Sequence, residues 1–377
     1  MAGIYVHIPF CKRKCIYCDF FSLACSTAVM DRYVAAVVKE AGMRSGELGD
    51  KLSTLYVGGG TPSLLNKEQF GTLIDGLRQI FDFSALQEFT VEVNPDDVTP
   101  ELMRFYKGKS VNRVSMGIQS FDDNDLRFIN RRHTAQQALD AVEVIRQSCI
   151  QNISIDLIYG VPGQSLETWE HNVTKAISLG VQHISAYCLS YEEGTPLWHM
   201  RERGEVQEVT EELTVCMYET LVERLRTAGF VHYEISNFAL PGFESKHNSS
   251  YWDGTPYLGL GAAAHSFNGK AERSYNPTDL ERYMNSLVAG HLPCERESLS
   301  QAEQHDEMVM LALRTARGLD VAELERRFGR ECAESFRVKA GTFLKSGALQ
   351  CEGSIYTLTR KGVMVSNDVI SELFSDQ

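Results

Sequence analysis

Short runs rich in valine and isoleucine alternate with amphipathic stretches six times between Gly3 and Leu189, and this rhythm restricts the fold more than any other feature of the chain. The candidate strands are Ile4–Ile8, Thr54–Val57, Phe89–Val93, Arg113–Met116, Ile153–Ile158 and His183–Leu189. They read as mostly apolar on successive positions, as strands covered on both faces do. The intervening helices have legible starts. Asn66 with Gln69, and Thr134 with Gln137, fit an N-cap and its reciprocal partner three residues on, and Thr99-Pro100 fits an N-cap followed by proline at the first helical position. Repeated strand–helix alternation implies a parallel sheet with helical crossovers. Six units are too few for a closed eight-strand barrel, so the expectation is α/β: an open, partial (β/α)6 barrel.

Ligands in such folds gather at the C-terminal ends of the strands, and the chemistry-bearing residues fall there. After the first strand comes Cys11-Lys-Arg-Lys-Cys15-Ile-Tyr-Cys18. Three thiolates on one loop can take three corners of a 4Fe-4S cluster, which leaves one iron open to a small chelating molecule. A structural zinc site is the competing reading and needs four ligands, for which His7 or Cys25 is available. After the second strand come Gly58-Gly59-Gly60-Thr61, where backbone can approach a ligand closely. Glu92 and Asn94 end the third strand, Gln119 follows the fourth, and Asp156 closes the fifth.

The spacing CxxxCxxC with an aromatic residue before the third cysteine resembles the signature of the radical S-adenosylmethionine (SAM) family. Tyr5-Val-His-Ile-Pro-Phe-Cys11, Gly58-Gly-Gly-Thr-Pro-Ser63, Val91-Glu-Val-Asn-Pro95, Ser115-Met-Gly-Ile-Gln-Ser-Phe121 and Asp156-Leu-Ile-Tyr-Gly-Val-Pro162 together resemble the oxygen-independent coproporphyrinogen III oxidase group of that family. The resemblance implies a radical-SAM partial barrel with the cluster on Cys11, Cys15 and Cys18. It also implies SAM contacts at Tyr5, Tyr17, Gly59, Gly60, Thr61, Glu92, Gln119, Arg131 and Asp156. In the oxidase relatives Gln119, Arg131 and Asp156 belong partly to a second SAM. Without the resemblance, Glu92 could be a solvated acid opposite a basic side chain, and Arg131 with Arg132 a surface pair.

Two departures separate this chain from the oxidases. Phe20 stands where they carry a fourth cysteine, and the chain begins two residues before Gly3, where they carry an extension that helps form the substrate site. Both departures, and Cys18-Asp-Phe20, resemble the haem chaperone branch of the group. That branch has a His-Asn-x-x-Tyr-Trp motif, present here as His247-Asn-Ser-Ser-Tyr251-Trp252. An imidazole on a flexible loop beside two aromatic rings is chemically suited to ligating haem iron. His265, on a glycine-alanine turn, reads as a local structural or cleft residue.

Past Leu189 the rhythm changes. Helical periodicity in Glu208–Ala228 precedes a strand-like Val231–Ile235, and Phe238–Phe267 reads as a long loop. A composition shift around Glu295–Gln304 marks a boundary, followed by helices, a hairpin near Ala348–Thr359 and a helix opening at Thr359-Arg-Lys-Gly362. The domains are therefore read as 1–235, a SAM-family partial barrel, 236–295, a haem-motif loop region and connector, and 296–377, a small α+β, winged-helix-like domain.

A net charge of −13 argues against nucleic-acid partners. No apolar run reaches the length of a membrane span and no leader precedes the first strand, so the expected setting is the cytoplasm, with peripheral membrane contact compatible. Seven of the ten cysteines are scattered singly, as small buried hydrophobes of a reducing compartment are. The function expected is a haem chaperone that binds a 4Fe-4S cluster, SAM and haem and delivers haem to haem-requiring proteins. The alternative is an oxygen-independent coproporphyrinogen III dehydrogenase, which decarboxylates two propionates. A third reading is another porphyrin-directed radical SAM activity.

Overall fold

Taking the six parallel strands at every second residue separates two kinds of surface. The computed structural model describes residues 2–49 and 51–375. Its first six strands are β1 (Ala2–Ile8), β2 (Leu52–Gly59), β3 (Glu88–Val93), β4 (Arg113–Gln119), β5 (Asn152–Tyr159) and β6 (His183–Cys188), each parallel to the next. One face carries Ile4, Val6, Leu55, Val57, Phe89, Val91, Val114, Met116, Ile155 and Leu157, all buried in one core with the helices. The other face carries Tyr5, His7, Thr54, Tyr56, Glu88, Thr90, Glu92, Arg113, Ser115, Ser154, Asp156, His183 and Ser185. The register sets Tyr5, Tyr56, Thr90 and Arg113 in one row across four strands. The expectation of strands apolar on both faces is thereby corrected. Side chains alternate with period two, and the concave face is polar because it lines an interior instead of packing on helices.

The helix Lys67–Ile80 opens on a capping box, Gln69 N donating to Asn66 Oδ1 (2.9 Å) and Asn66 N to Gln69 Oε1 (3.0 Å). Ala135–Gln147 opens the same way at Thr134 and Gln137. Pro100–Gly108 begins after Thr99 with proline at its first position. Each of these helices returns the chain to the bottom of the sheet, so the loops at the C-terminal ends of the strands cluster at one mouth.

The sheet runs on at both sides. Six further strands follow in the chain: β7 (Val231–Glu234), β8 (Asn237–Ala239), β9 (Tyr257–Leu260), β10 (His265–Phe267), β11 (Glu272–Tyr275) and β12 (Glu295–Ser298). The order across the sheet is β12-β11-β10-β9-β1-β2-β3-β4-β5-β6-β8-β7, an open sheet with two edges and not a closed barrel. The expected loop over Phe238–Phe267 is corrected. It contributes β8, the helix Lys246–Trp252, β9 and β10, whose short lengths left no periodicity to read.

A buried ion pair ties the outer strands to the helix Thr27–Met43. Arg44 and Glu40 are essentially unexposed, 3.0 Å apart. Arg44 donates to Gly259 O, Ser266 Oγ and Ser274 Oγ, while Glu40 accepts from Tyr283 OH, Gly261 N and Asn276 Nδ2. Arg44 Nε donates to Glu47 Oε2 (3.1 Å), so every polar atom of the pair is engaged, the condition for holding charge in an interior.

The C-terminal part has its own core, including Val309, Leu313, Leu324, Phe336 and Ile370. Among the described residues five helices, Gln301–Leu313, Val321–Phe328, Arg330–Ser346, Arg360–Met364 and Ser366–Glu372, accompany an antiparallel sheet of β13 (Leu319–Asp320), β14 (Leu349–Glu352) and β15 (Ile355–Leu358), in the order β13-β15-β14. The predicted hairpin is β14-β15, and Thr359 caps the helix Arg360–Met364, its hydroxyl oxygen accepting from Gly362 N (3.1 Å). This part docks on β7 by backbone bonds, Ile235 N to Arg314 O (3.1 Å) and Ala316 N to Tyr233 O (3.0 Å). Among the described residues no helix is long and apolar enough to cross a membrane.

Candidate cofactor-binding site

The chain leaves β1 into the cysteine loop, whose base is pinned by Leu23 N to Pro9 O (2.8 Å) and Cys11 N to Leu23 O (3.0 Å). Within it Cys18 N reaches Cys15 O (3.3 Å), a turn that folds the second and third thiols to one side. Cys11 Sγ lies 3.5 Å from Thr61 Oγ1, and Arg131 donates through Nη1 to Cys15 Sγ at 3.6 Å. All three thiols border a hollow of about 580 Å³ at the sheet's mouth. Among the described residues no three His, Cys, Asp or Glu side chains converge on a single-ion position. Three cysteines lining one hollow suit a cluster that is anchored at separate irons, whereas a structural zinc draws four ligands to one point.

Gly59 has φ +111° and its N–H donates to Glu92 Oε2 at 2.9 Å. A Cβ there would lie 2.6 Å from the His7 ring, and one on Gly60 2.7 Å from Phe10 O, so this turn admits no side chain. Glu92 also accepts from Tyr56 OH at 2.7 Å. Burial pushes its carboxyl up to about 7. The Tyr56 hydrogen bond opposes this and the negative charge of Asp156 adds to it. Asp156 is raised to about 6 by burial, with the Ser185 hydrogen bond and the charges of Arg113 and Arg131 opposing. Both carboxyls are held near the point of ionisation, which is common where ligands are bound or protons moved.

Gln119 ends β4 with φ +71°, where the β4–β5 ladder slips by one residue. That slip turns its side chain to the mouth. Arg131 is turned inward, donating to Gly117 O and to Asn94 Oδ1 (2.9 Å), whereas Arg132 pairs with Asp96 and Asp97. Tyr5, Tyr17, Gly59, Gly60, Thr61, Glu92, Gln119, Arg131 and Asp156 all border the same hollow as the cysteines. Sequence reasoning missed Ser115, Gly117 and Tyr187, which line it too, and Tyr56, which anchors Glu92. The polar residue at every second strand position was the signal that could have found Ser115, Tyr187 and Tyr56.

His247 lies elsewhere. The expectation of an imidazole on a flexible loop is corrected: the residue sits in the helix Lys246–Trp252 and has no exposed surface. Glu88, at the start of β3, receives Lys246 N (2.9 Å) and His247 N (3.0 Å) and so satisfies the open end of this short helix. The imidazole shares hydrogen bonds with Thr54 Oγ1 (Nδ1, 2.9 Å) and Tyr251 OH (Nε2, 2.9 Å). Burial, with the charge of Arg113, lowers its pKa to about 3, so the ring is neutral. Thr54 and Glu88 belong to the N-terminal halves of β2 and β3, the floor of the polar interior opposite the mouth, and Tyr251 to the helix of His247 itself. His265 opens β10 on an exposed position beside the Tyr275 ring.

Comparison with known proteins accords with this arrangement. Residues 5–176 match the radical SAM superfamily model and residues 299–365 match the HemN C-terminal domain. A protein of Lactococcus lactis described as "Heme chaperone HemW" is 35% identical over 376 residues, covering 99% of this chain and 97% of its own length. One of the same description from Bacillus subtilis is 33% identical over 379 residues, covering the whole of both chains. The fold superposes on the structure of Escherichia coli coproporphyrinogen III oxidase (HemN) with a TM-score of 0.86 at 22% identity, over 99% of this chain and 90% of that one. With relatives this similar over their full length, the chain belongs to the HemW family of radical SAM proteins.

Proposed function

We propose that this protein is a haem chaperone: it holds a 4Fe-4S cluster, SAM and haem, and passes haem to haem-requiring proteins of the cytoplasm. The observation that carries the reading is full-length similarity to chains described as haem chaperones, in a chain with Phe20 in place of a fourth cysteine. Cys11, Cys15 and Cys18 would anchor the cluster, which with SAM supplies reductive cleavage chemistry when bound. Glu92, fixed by Tyr56 and Gly59, presents acceptors suited to ribose hydroxyls or an ammonium group. Gly59 and Gly60 let the backbone approach the ligand, and Arg131, donating to Asn94 Oδ1 and Cys15 Sγ, ties the end of β3 to the cysteine loop.

His247 is proposed as the haem ligand. Both of its ring nitrogens are engaged and the ring is buried, so ligation requires the helix Lys246–Trp252 to leave the floor. Anaerobically reconstituted protein is to be titrated with haem and, separately, incubated with coproporphyrinogen III, SAM and reductant. The expected result is a stable Soret band that shifts and weakens in His247→Ala, transfer of haem to an apo-haem protein, and no decarboxylation. Turnover of coproporphyrinogen III without haem retention would sink the reading in favour of the dehydrogenase.

A further inference from the structure

The motif beginning at His247 lies under the floor of the polar interior, and haem ligation gives no reason for that resting place. A neutral imidazole has one donor and one acceptor, and both are used, toward Thr54 and Tyr251. The ring lies nearly parallel to Tyr56 (centroids 5.2 Å, 28°) and to Tyr5 (6.4 Å, 29°). Beyond these two tyrosines the contacts continue in two directions. Tyr56 OH donates to Glu92 Oε1 at 2.7 Å, in the hollow. Tyr5 OH shares a hydrogen bond with His7 Nδ1 at 2.9 Å, and His7 Nε2 lies 3.2 Å from Phe21 O, at the end of the cysteine loop. On its remaining side the imidazole meets backbone, since a Cβ on Gly3 would come within 3.2 Å of it. The ring is therefore wedged between β1, β2 and its own helix, directly beneath the two tyrosines.

We propose that His247 is a positioning residue for the cofactor pocket: seated in the floor, it fixes Tyr56 and Tyr5, and through them the aim of Glu92 and His7. The proposal rests on reading the hollow as the SAM site and is independent of haem. The physical reason is that Glu92 is aimed by the Tyr56 hydroxyl and a backbone N–H. An aromatic ring whose underside has lost its support can tilt and carry that hydroxyl off line. Removing the imidazole also leaves Thr54 Oγ1 and Tyr251 OH without their partner.

The test uses haem-free, cluster-reconstituted protein and calorimetric SAM binding. His247→Ala should keep its iron and sulfide yet lose SAM affinity by roughly tenfold, the scale of one misdirected hydrogen bond to a charged group. Tyr56→Phe, which keeps the ring and drops the hydroxyl, should show a loss of the same order. A purely structural role would not produce the decisive readout, which is a double-mutant cycle. His247→Ala combined with Glu92→Gln should cost little more than Glu92→Gln alone, whereas combined with Gln119→Ala the losses should multiply. SAM affinity within twofold of wild type in folded His247→Ala, or losses that multiply with Glu92→Gln, would overturn the proposal alone. Wild-type protein that binds no SAM would overturn the pocket reading and this proposal with it. Should the alanine variant fail to fold, His247→Asn, which keeps a polar group toward Thr54, carries the same cycle with the same criterion.

Discussion

At the scale of single residues, Gly59 and Glu92 form one device. The positive φ of Gly59 aims its N–H at Glu92, and the His7 ring occupies the space a Cβ would need. Gly59→Ala is expected to destabilise the fold by about 1–3 kcal/mol, read as a lower denaturant midpoint, with SAM affinity falling as well. The pH response follows from Glu92. Its carboxyl is held near 7 against an ordinary 4.5, so it gains charge as pH rises through 7, and hydroxyl or ammonium donors bind the charged form better. SAM affinity should climb between about pH 6 and 8, and Glu92→Gln should flatten the climb. The sign is opposite for stability. Between 4.5 and about 7 the folded state keeps a proton the unfolded chain has lost, so this group lowers stability as pH rises there. Cys11→Ala, Cys15→Ala and Cys18→Ala should each abolish the cluster, read as loss of iron and sulfide after reconstitution, because two protein ligands remain where three are needed. These residues were legible because strand ends and thiol spacings are local facts. From the residues alone Arg131 and Arg132 look alike until Asp96 and Asp97 are placed in space beside Arg132, and the resemblance was what singled out Arg131.

At the scale of elements, starts and types were readable and faces were not. Capping pairs such as Asn66 with Gln69 are short-range chemistry, so those helices appeared where the sequence put them. The strands looked apolar throughout because Val, Ile and Leu dominate them, but their polar residues keep strict alternation, Glu88-Thr90-Glu92 being the plainest case. The helix Lys246–Trp252 was invisible because its seven residues are held by Glu88, more than 150 positions away in the chain. Glu88→Ala should free that helix, costing about 1–2 kcal/mol and hastening amide exchange at Lys246 and His247. The buried pair behaves differently. Glu40→Ala leaves Arg44 without its fully buried partner and strips acceptors from Tyr283, Gly261 and Asn276, so a loss of roughly 3–5 kcal/mol is expected in denaturant unfolding.

At the scale of the whole molecule, β1 is an interior strand, with β2 on one flank and β9 on the other, both parallel to it. The second neighbour arrives late. During translation at about 5–20 residues per second, the roughly 200 residues between β2 and β9 take on the order of 10–40 s to emerge. For that interval the strand that leads into the cysteines has one unpaired edge, open to non-native pairing with other nascent chains. Only when Gly3–Val6 pairs with Tyr257–Leu260 is the second edge of the strand that feeds the cysteine loop closed. Metallation of a nascent chain would therefore lag far behind synthesis of its ligands. Chains stalled on the ribosome before β9 should carry accessible thiols and no retained iron, and those released after it should accept a cluster.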